Sequence, residues 1–89
     1  MHRWRIKVIG DVQGVFYRFS AKMEADKLGL TGFGENESDD SVLIIAEGRQ
    51  EALERFSVWL KEGPPMAEVE DIQIEEEDYV GKFKGFEVR

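Results

Sequence analysis

Residues 10–18 read GDVQGVFYR, and the chain changes its periodicity across them. Upstream, residues 3–9 (RWRIKVI) alternate: Trp4, Ile6 and Val8 fall on one side, Arg5 and Lys7 on the other. That period of two predicts a half-buried strand. Downstream, from about Phe16 to Leu28, the period becomes helical. Tyr17, Ala21, Ala25 and Leu28 share one face, while Phe19 and Met23 fall off it. Gly29 stands where a left-handed helix cap favours glycine. The quoted stretch is therefore a strand-to-helix loop with glycines at both 10 and 14.

The remaining elements follow from the same reading. TGFGEN, 31–36, predicts a strand weakened by its glycines, and ESDD after it is turn-rich. SVLIIAE, 41–47, is a near-continuous apolar run, which predicts a strand buried on both faces. Residues 49–63 place Ala52, Leu53, Phe56, Trp59 and Leu60 on one helical stripe, ended by Gly63 and Pro64-Pro65. Val69, Ile72 and Ile74 mark another strand, and Phe83, Phe86 and Val88 a short closing one. The order β-α-β-β-α-β predicts an α+β, ferredoxin-like sandwich: an antiparallel sheet with two helices on one face. At 89 residues the expectation is a single domain, 1–89, with no internal repeat or linker.

The bulk composition narrows the function. A net charge of −7 opposes the counterion release that drives nucleic-acid binding and opposes docking on an anionic membrane. The chain has no cysteine, hence no disulfide, thiolate nucleophile or cysteine metal site. No apolar run is long enough for a signal peptide or a membrane span. The expectation is a cytoplasmic, monomeric protein without nucleic-acid or membrane partners. His2 is expected to lie in a frayed terminus. The acidic groups ENESDD and EEED lack calcium-loop spacing, so they are expected to be solvated faces and no metal site is expected.

The loop itself suggests an anion site. First-turn N–H groups of a helix lack internal partners, and the helix dipole adds positive charge there. Gly10 and Gly14 let the backbone curl and approach a ligand closely. Arg18 lies in the first turn, from which a guanidinium can fold back onto two phosphate oxygens. The same spacing also serves as a plain connection that binds nothing. It is neither a P-loop, since Gly-Lys-Ser/Thr is absent, nor a dinucleotide fingerprint, since its glycine spacing differs.

GDVQGVFYR resembles the acylphosphatase signature Gly-x-Val-Gln-Gly-Val-x-Phe/Tyr-Arg. LGLTGFGENESDDSVLIIAEG, 28–48, is similar to that family's second motif, and FSVWLKEGPPMAEV, 56–69, to its third. The ending FKGFEVR also matches, so the resemblance spans essentially the whole chain. It implies a ferredoxin-like fold and a metal-independent, cofactor-free hydrolase that cleaves the carboxyl-phosphate bond of acyl phosphates by water attack. The products would be a carboxylate and inorganic phosphate. It implies Arg18 and Asn36 as catalytic residues. It also implies a phosphate-binding loop of Gln13, Gly14, Val15, Phe16, Tyr17 and Arg18. The start at Met1 and the end at the family's usual position suggest a free-standing enzyme.

Several positions depart from the family pattern. Glu35 stands where Arg or Lys is frequent, and Glu37 completes an acidic bracket around Asn36. On a strand, 35 and 37 project opposite to 36. Gly34 replaces Val, Phe33 replaces Trp, and Asp40 replaces a turn glycine while tolerating the left-handed backbone. An alternative is a non-catalytic module of this fold that binds an anion or a protein. RNA binding, which shares the element order, is opposed by the charge and by a central strand without aromatics.

Overall fold

The computed structural model describes all residues, Met1–Arg89. Its elements are β1 (His2–Asp11), α1 (Tyr17–Leu28), β2 (Thr31–Asn36), β3 (Val42–Gly48), α2 (Gln50–Glu62), β4 (Glu68–Glu77) and β5 (Phe86–Val88). The strands form one sheet in the order β4-β1-β3-β2-β5. β1 pairs antiparallel with β3 and β4, and β2 antiparallel with β3. The fold is the ferredoxin-like α+β sandwich expected from the element order. One correction applies: the sheet is mixed, because β5 lies parallel to β2 along the far edge. Phe83 also falls outside that last strand.

The core lies between one face of the sheet and the two helices. Ile6 and Val8 of β1 and Val42, Ile44 and Ala46 of β3 meet Tyr17, Ala21 and Ala25 of α1 and Leu53, Phe56 and Leu60 of α2. Strand alternation sends the even-numbered residues inward, as read for Ile6 and Val8; Trp4 packs at the margin. Each large apolar side chain here gains about 1.5–3 kcal/mol from burial. Phe19 and Met23, off the α1 stripe, are exposed. Gly29 adopts the left-handed conformation, and its N–H reaches back to the carbonyls of Ala25 and Asp26.

β3 is buried along its entire length although both helices lie on one side. The other side is covered by side chains and by the chain itself. Arg3, Arg5 and Lys7 stand opposite Glu47, Ile45 and Leu43 in register. The connection from β4 to β5 must then cross the whole sheet, since these strands occupy opposite edges. Glu47, only 2% exposed, holds that crossing in place. Its Oε2 accepts from the Val80 N–H (2.9 Å) and its Oε1 from the Gly81 N–H (3.1 Å). Arg3 Nη1 completes the set at 3.2 Å and its Nε donates to Glu77, so the buried carboxylate is neutralised. Phe83, two residues beyond Gly81, then packs against Phe33 with ring centroids 5.8 Å apart.

The N-terminus departs from expectation. His2 belongs to β1, opposite Gly48, and its Nδ1 lies 2.9 Å from Glu76 Oε2. That contact, followed by a hydrogen bond from Trp4 Nε1, holds the Glu76 carboxyl below its ordinary pKa.

Candidate active site

β1 ends in a bulge. The register with β4 shifts between Ile9 and Gly10, and a Cβ on Gly10 would lie 2.2 Å from the Glu68 carbonyl oxygen. Only glycine permits that approach. Residues 12–16 then carry the chain to α1, and their side chains divide the work. Val12 is buried and Val15 packs against the core, pinning the loop from below. Gly14 turns the chain with φ +74°. Tyr17 opens α1 with its ring in the core, 1% exposed and 5.8 Å from the Trp59 ring. Its hydroxyl donates to the Leu60 carbonyl at 2.7 Å, and burial raises its pKa well above the ordinary phenol value.

Gln13 sets the position of the loop. Its Nε2 donates to the carbonyl oxygens of Glu37 and Ser41, both at 2.9 Å. These carbonyls flank the turn between β2 and β3, so one carboxamide fastens the loop to the residue that follows Asn36. The turn is braced separately. Asp40 takes the left-handed backbone with φ +72°, as the sequence allowed. Asp39 accepts from the Ser41 N–H and hydroxyl and meets Lys7 Nζ at 2.7 Å, with its pKa depressed, chiefly by the Lys7 hydrogen bond.

Arg18 approaches the same place from the helix. A Cβ built on Gly34 would lie 3.7 Å from Arg18 Cγ, so the arginine stem lies over the strand where glycine leaves room. Asn36 is two residues further along β2, on the same face and about 6.5–7 Å away. Arg18 Nη1 donates to a main-chain oxygen of Arg89, whose own N–H bonds to the Gly34 carbonyl at 2.9 Å. Four residues on, Lys22 Nζ donates to the Phe86 carbonyl at 2.9 Å. α1 is thus fastened at two points, to β5 at Phe86 and to Arg89 just beyond it. The guanidinium has five donors, so the Arg89 contact leaves others free.

Gln13, Arg18 and Asn36 therefore converge on the end of β2. Val15 and Tyr17 bring only backbone, because their side chains belong to the core. Gly14 and Phe16 are exposed. Phe16 caps α1 with φ 61° and ψ 22°; no side chain caps this end and its first turn holds no acidic residue. The acidic bracket around Asn36 lies elsewhere. Glu35 projects to the face of Phe33, away from the helices, and Glu37 lines a groove with Arg5, Lys7 and Leu43 on that outer face. The sequence reading missed Glu47, Lys22 and Arg89. Two of these act on main-chain groups and Arg89 acts through its own main-chain oxygen. Only the burial of an acid within SVLIIAE hinted at one of them.

Comparison with known proteins agrees over the whole chain. The Acylphosphatase family model matches residues 4–88. An acylphosphatase of Aeropyrum pernix is 49% identical over 88 residues, covering 98% of this chain and 87% of that protein. The crystal structure of acylphosphatase from Bacillus subtilis superposes with a TM-score of 0.96 at 39% identity, covering 100% of this chain and 99% of the other. T. kodakarensis HypF contains a similar region: TM-score 0.86, 31% identity, covering 100% of this chain but 12% of that one. The agreement in sequence and in architecture has one meaning: this chain belongs to the acylphosphatase family.

Proposed function

We infer that this chain is an acyl phosphate hydrolase in which Arg18 and Asn36 carry the chemistry and residues 13–18 hold the phosphoryl group. One observation supports the residue assignment above others. The acid-free N-terminus of α1, the Arg18 stem and the end of β2 meet at one point, fastened by Gln13.

The substrate is a mixed anhydride with a good carboxylate leaving group, so little acid–base help is required. Phosphoryl transfer places its main demand on positioning and on charge stabilisation of the phosphoryl oxygens. Backbone N–H groups from Gly14 to Arg18 supply donors at the positive end of α1. Arg18 adds a full charge and is oriented by a main-chain oxygen of Arg89. The Asn36 carboxamide, both donor and acceptor, orients the attacking water in line with the breaking bond without becoming charged. Water adds to phosphorus as the carboxylate leaves, and the water's proton passes to a phosphate oxygen. No metal is required in this scheme. Cytoplasmic location and action as a monomer belong to the same reading. No helix is long and apolar enough to cross a membrane.

The test is phosphate release from acetyl phosphate, with and without a chelator. Wild-type activity should survive chelation. Arg18→Ala and Asn36→Ala should each lose about 10²–10³-fold in kcat, the scale for removing one preorganised donor, while keeping the wild-type Tm. Near-normal turnover in either folded variant overturns the residue assignment. Loss of wild-type activity on chelation overturns the metal-free scheme.

A further inference from the structure

Among the loop residues that carry side chains, Phe16 alone has no structural task. Val12 and Tyr17 are seated in the core, Val15 packs against it, Gln13 spans to the β2–β3 turn, and Arg18 lies over Gly34. The Phe16 ring is 78% exposed and joins none of the aromatic pairs of the core. Its backbone is left-handed, a conformation that is a genuine outlier for a bulky side chain and natural for glycine or asparagine. A single exposed apolar residue is ordinary. An exposed phenylalanine in the left-handed region carries the conformational cost with no packing to offset it. Phe19, three positions on, is also exposed (56%), so the start of α1 presents an apolar rim beside the phosphate-binding backbone.

We propose that Phe16 is a specificity-determining residue that receives the acyl group of the substrate and favours aromatic and other apolar acyl phosphates. The proposal rests on the hydrolase reading above. A phosphoryl group held by the N–H groups of residues 14–18 has its bridging anhydride oxygen, which leaves with the carboxylate, toward solvent, since Tyr17, Ala21 and the core close the other side. The exposed ring belongs to the same short turn, so an aromatic acyl group can pack on it. Such a contact is formed equally in the bound substrate and in the transition state. It therefore acts on KM rather than on kcat.

The experiment compares benzoyl phosphate with acetyl phosphate in wild type, Phe16→Asn and Phe16→Tyr. Asn accepts the left-handed backbone, so the loop keeps its shape while the ring is removed. The expected result is a rise of about three- to tenfold in KM for benzoyl phosphate in Phe16→Asn, the strength of one aromatic contact. Any rise in KM for acetyl phosphate or in the inhibition constant of inorganic phosphate should be smaller, so the benzoyl-to-acetyl KM ratio should rise about threefold or more, and Phe16→Tyr should restore the benzoyl preference. Equal losses with both substrates would assign Phe16 to the shape of the loop, and no loss with either would leave it without a role in binding; both overturn the proposal. A wild-type protein that hydrolyses neither substrate overturns the hydrolase reading first, and this proposal with it.

Discussion

The two helices begin in related settings and end up with opposite chemistry. Each follows a strand of the same sheet, and neither has a side-chain cap. α2 starts almost directly after β3, from Arg49 in an extended conformation, and carries Glu51 in its first turn. α1 is reached through a five-residue loop, residues 12–16, and its first turn has no acid. A carboxylate in the first turn satisfies the helix dipole from within the chain. α2 thus offsets its own positive end with an acid, whereas α1 leaves its positive end without one. On the hydrolase reading proposed above, this difference is what makes the start of α1, and not that of α2, the phosphate site.

That contrast can be broken by changes on the α1 side. Gln13→Ala removes both ties between the loop and the β2–β3 turn, for which α2 has no counterpart. It should cost about 1–3 kcal/mol in denaturant unfolding and raise KM, because the loop loses its register with Asn36. Intact stability with both bonds gone would show that Val12 and Val15 alone seat the loop. Phe19→Glu gives α1 the acidic first turn that α2 already has. Read against Phe19→Gln, it should weaken inhibition by inorganic phosphate about tenfold while leaving Tm equal or slightly higher. Unchanged inhibition would separate the dipole from binding.

Tyr17 joins the start of α1 to the last turn of α2 through its hydroxyl on Leu60. Tyr17→Phe should cost about 1 kcal/mol. Burial raises the folded-state pKa above the unfolded value of about 10, so the stabilisation is complete below pH ~10 and is lost as pH rises beyond it. Stability of the wild type should accordingly fall above that pH, and the fall should be shallower in Tyr17→Phe, as followed by chemical unfolding across pH 8–11. The smallest effect concerns approach rather than contact. With a net charge of −7, long-range repulsion opposes an anionic substrate, so added salt of ~0.1–0.2 M should lower the apparent KM about twofold. A salt-independent or rising KM would show that the local positive end of α1 governs the encounter.

Much of this was legible in the sequence. Alternation in RWRIKVI placed Ile6 and Val8 inward, and the spacing of Tyr17, Ala21 and Ala25 gave the buried face of α1 while leaving Phe19 and Met23 outside. Asp40 could be matched to a left-handed turn because few residues tolerate it. The direction of β5 was not legible. Three residues carry too little pattern to choose between parallel and antiparallel partners, and Phe83, in the long crossing that precedes β5, carries the apolar signal of a strand. The frayed end expected for His2 failed for the same reason: its partner, Glu76, lies at the other end of the sequence.

Period, turn chemistry and charge are properties of neighbours in the chain, and by themselves they determined the element order, the inward faces and an acidic protein with one glycine-bent strand-to-helix loop. The fold alone decided which distant groups touch. It buried Glu47 under the crossing that it fastens and set a main-chain oxygen of Arg89 against Arg18. Those outcomes depend on sheet register and on chain crossings, where loop-closure entropy is offset by many contacts at once, and no local pattern encodes that sum.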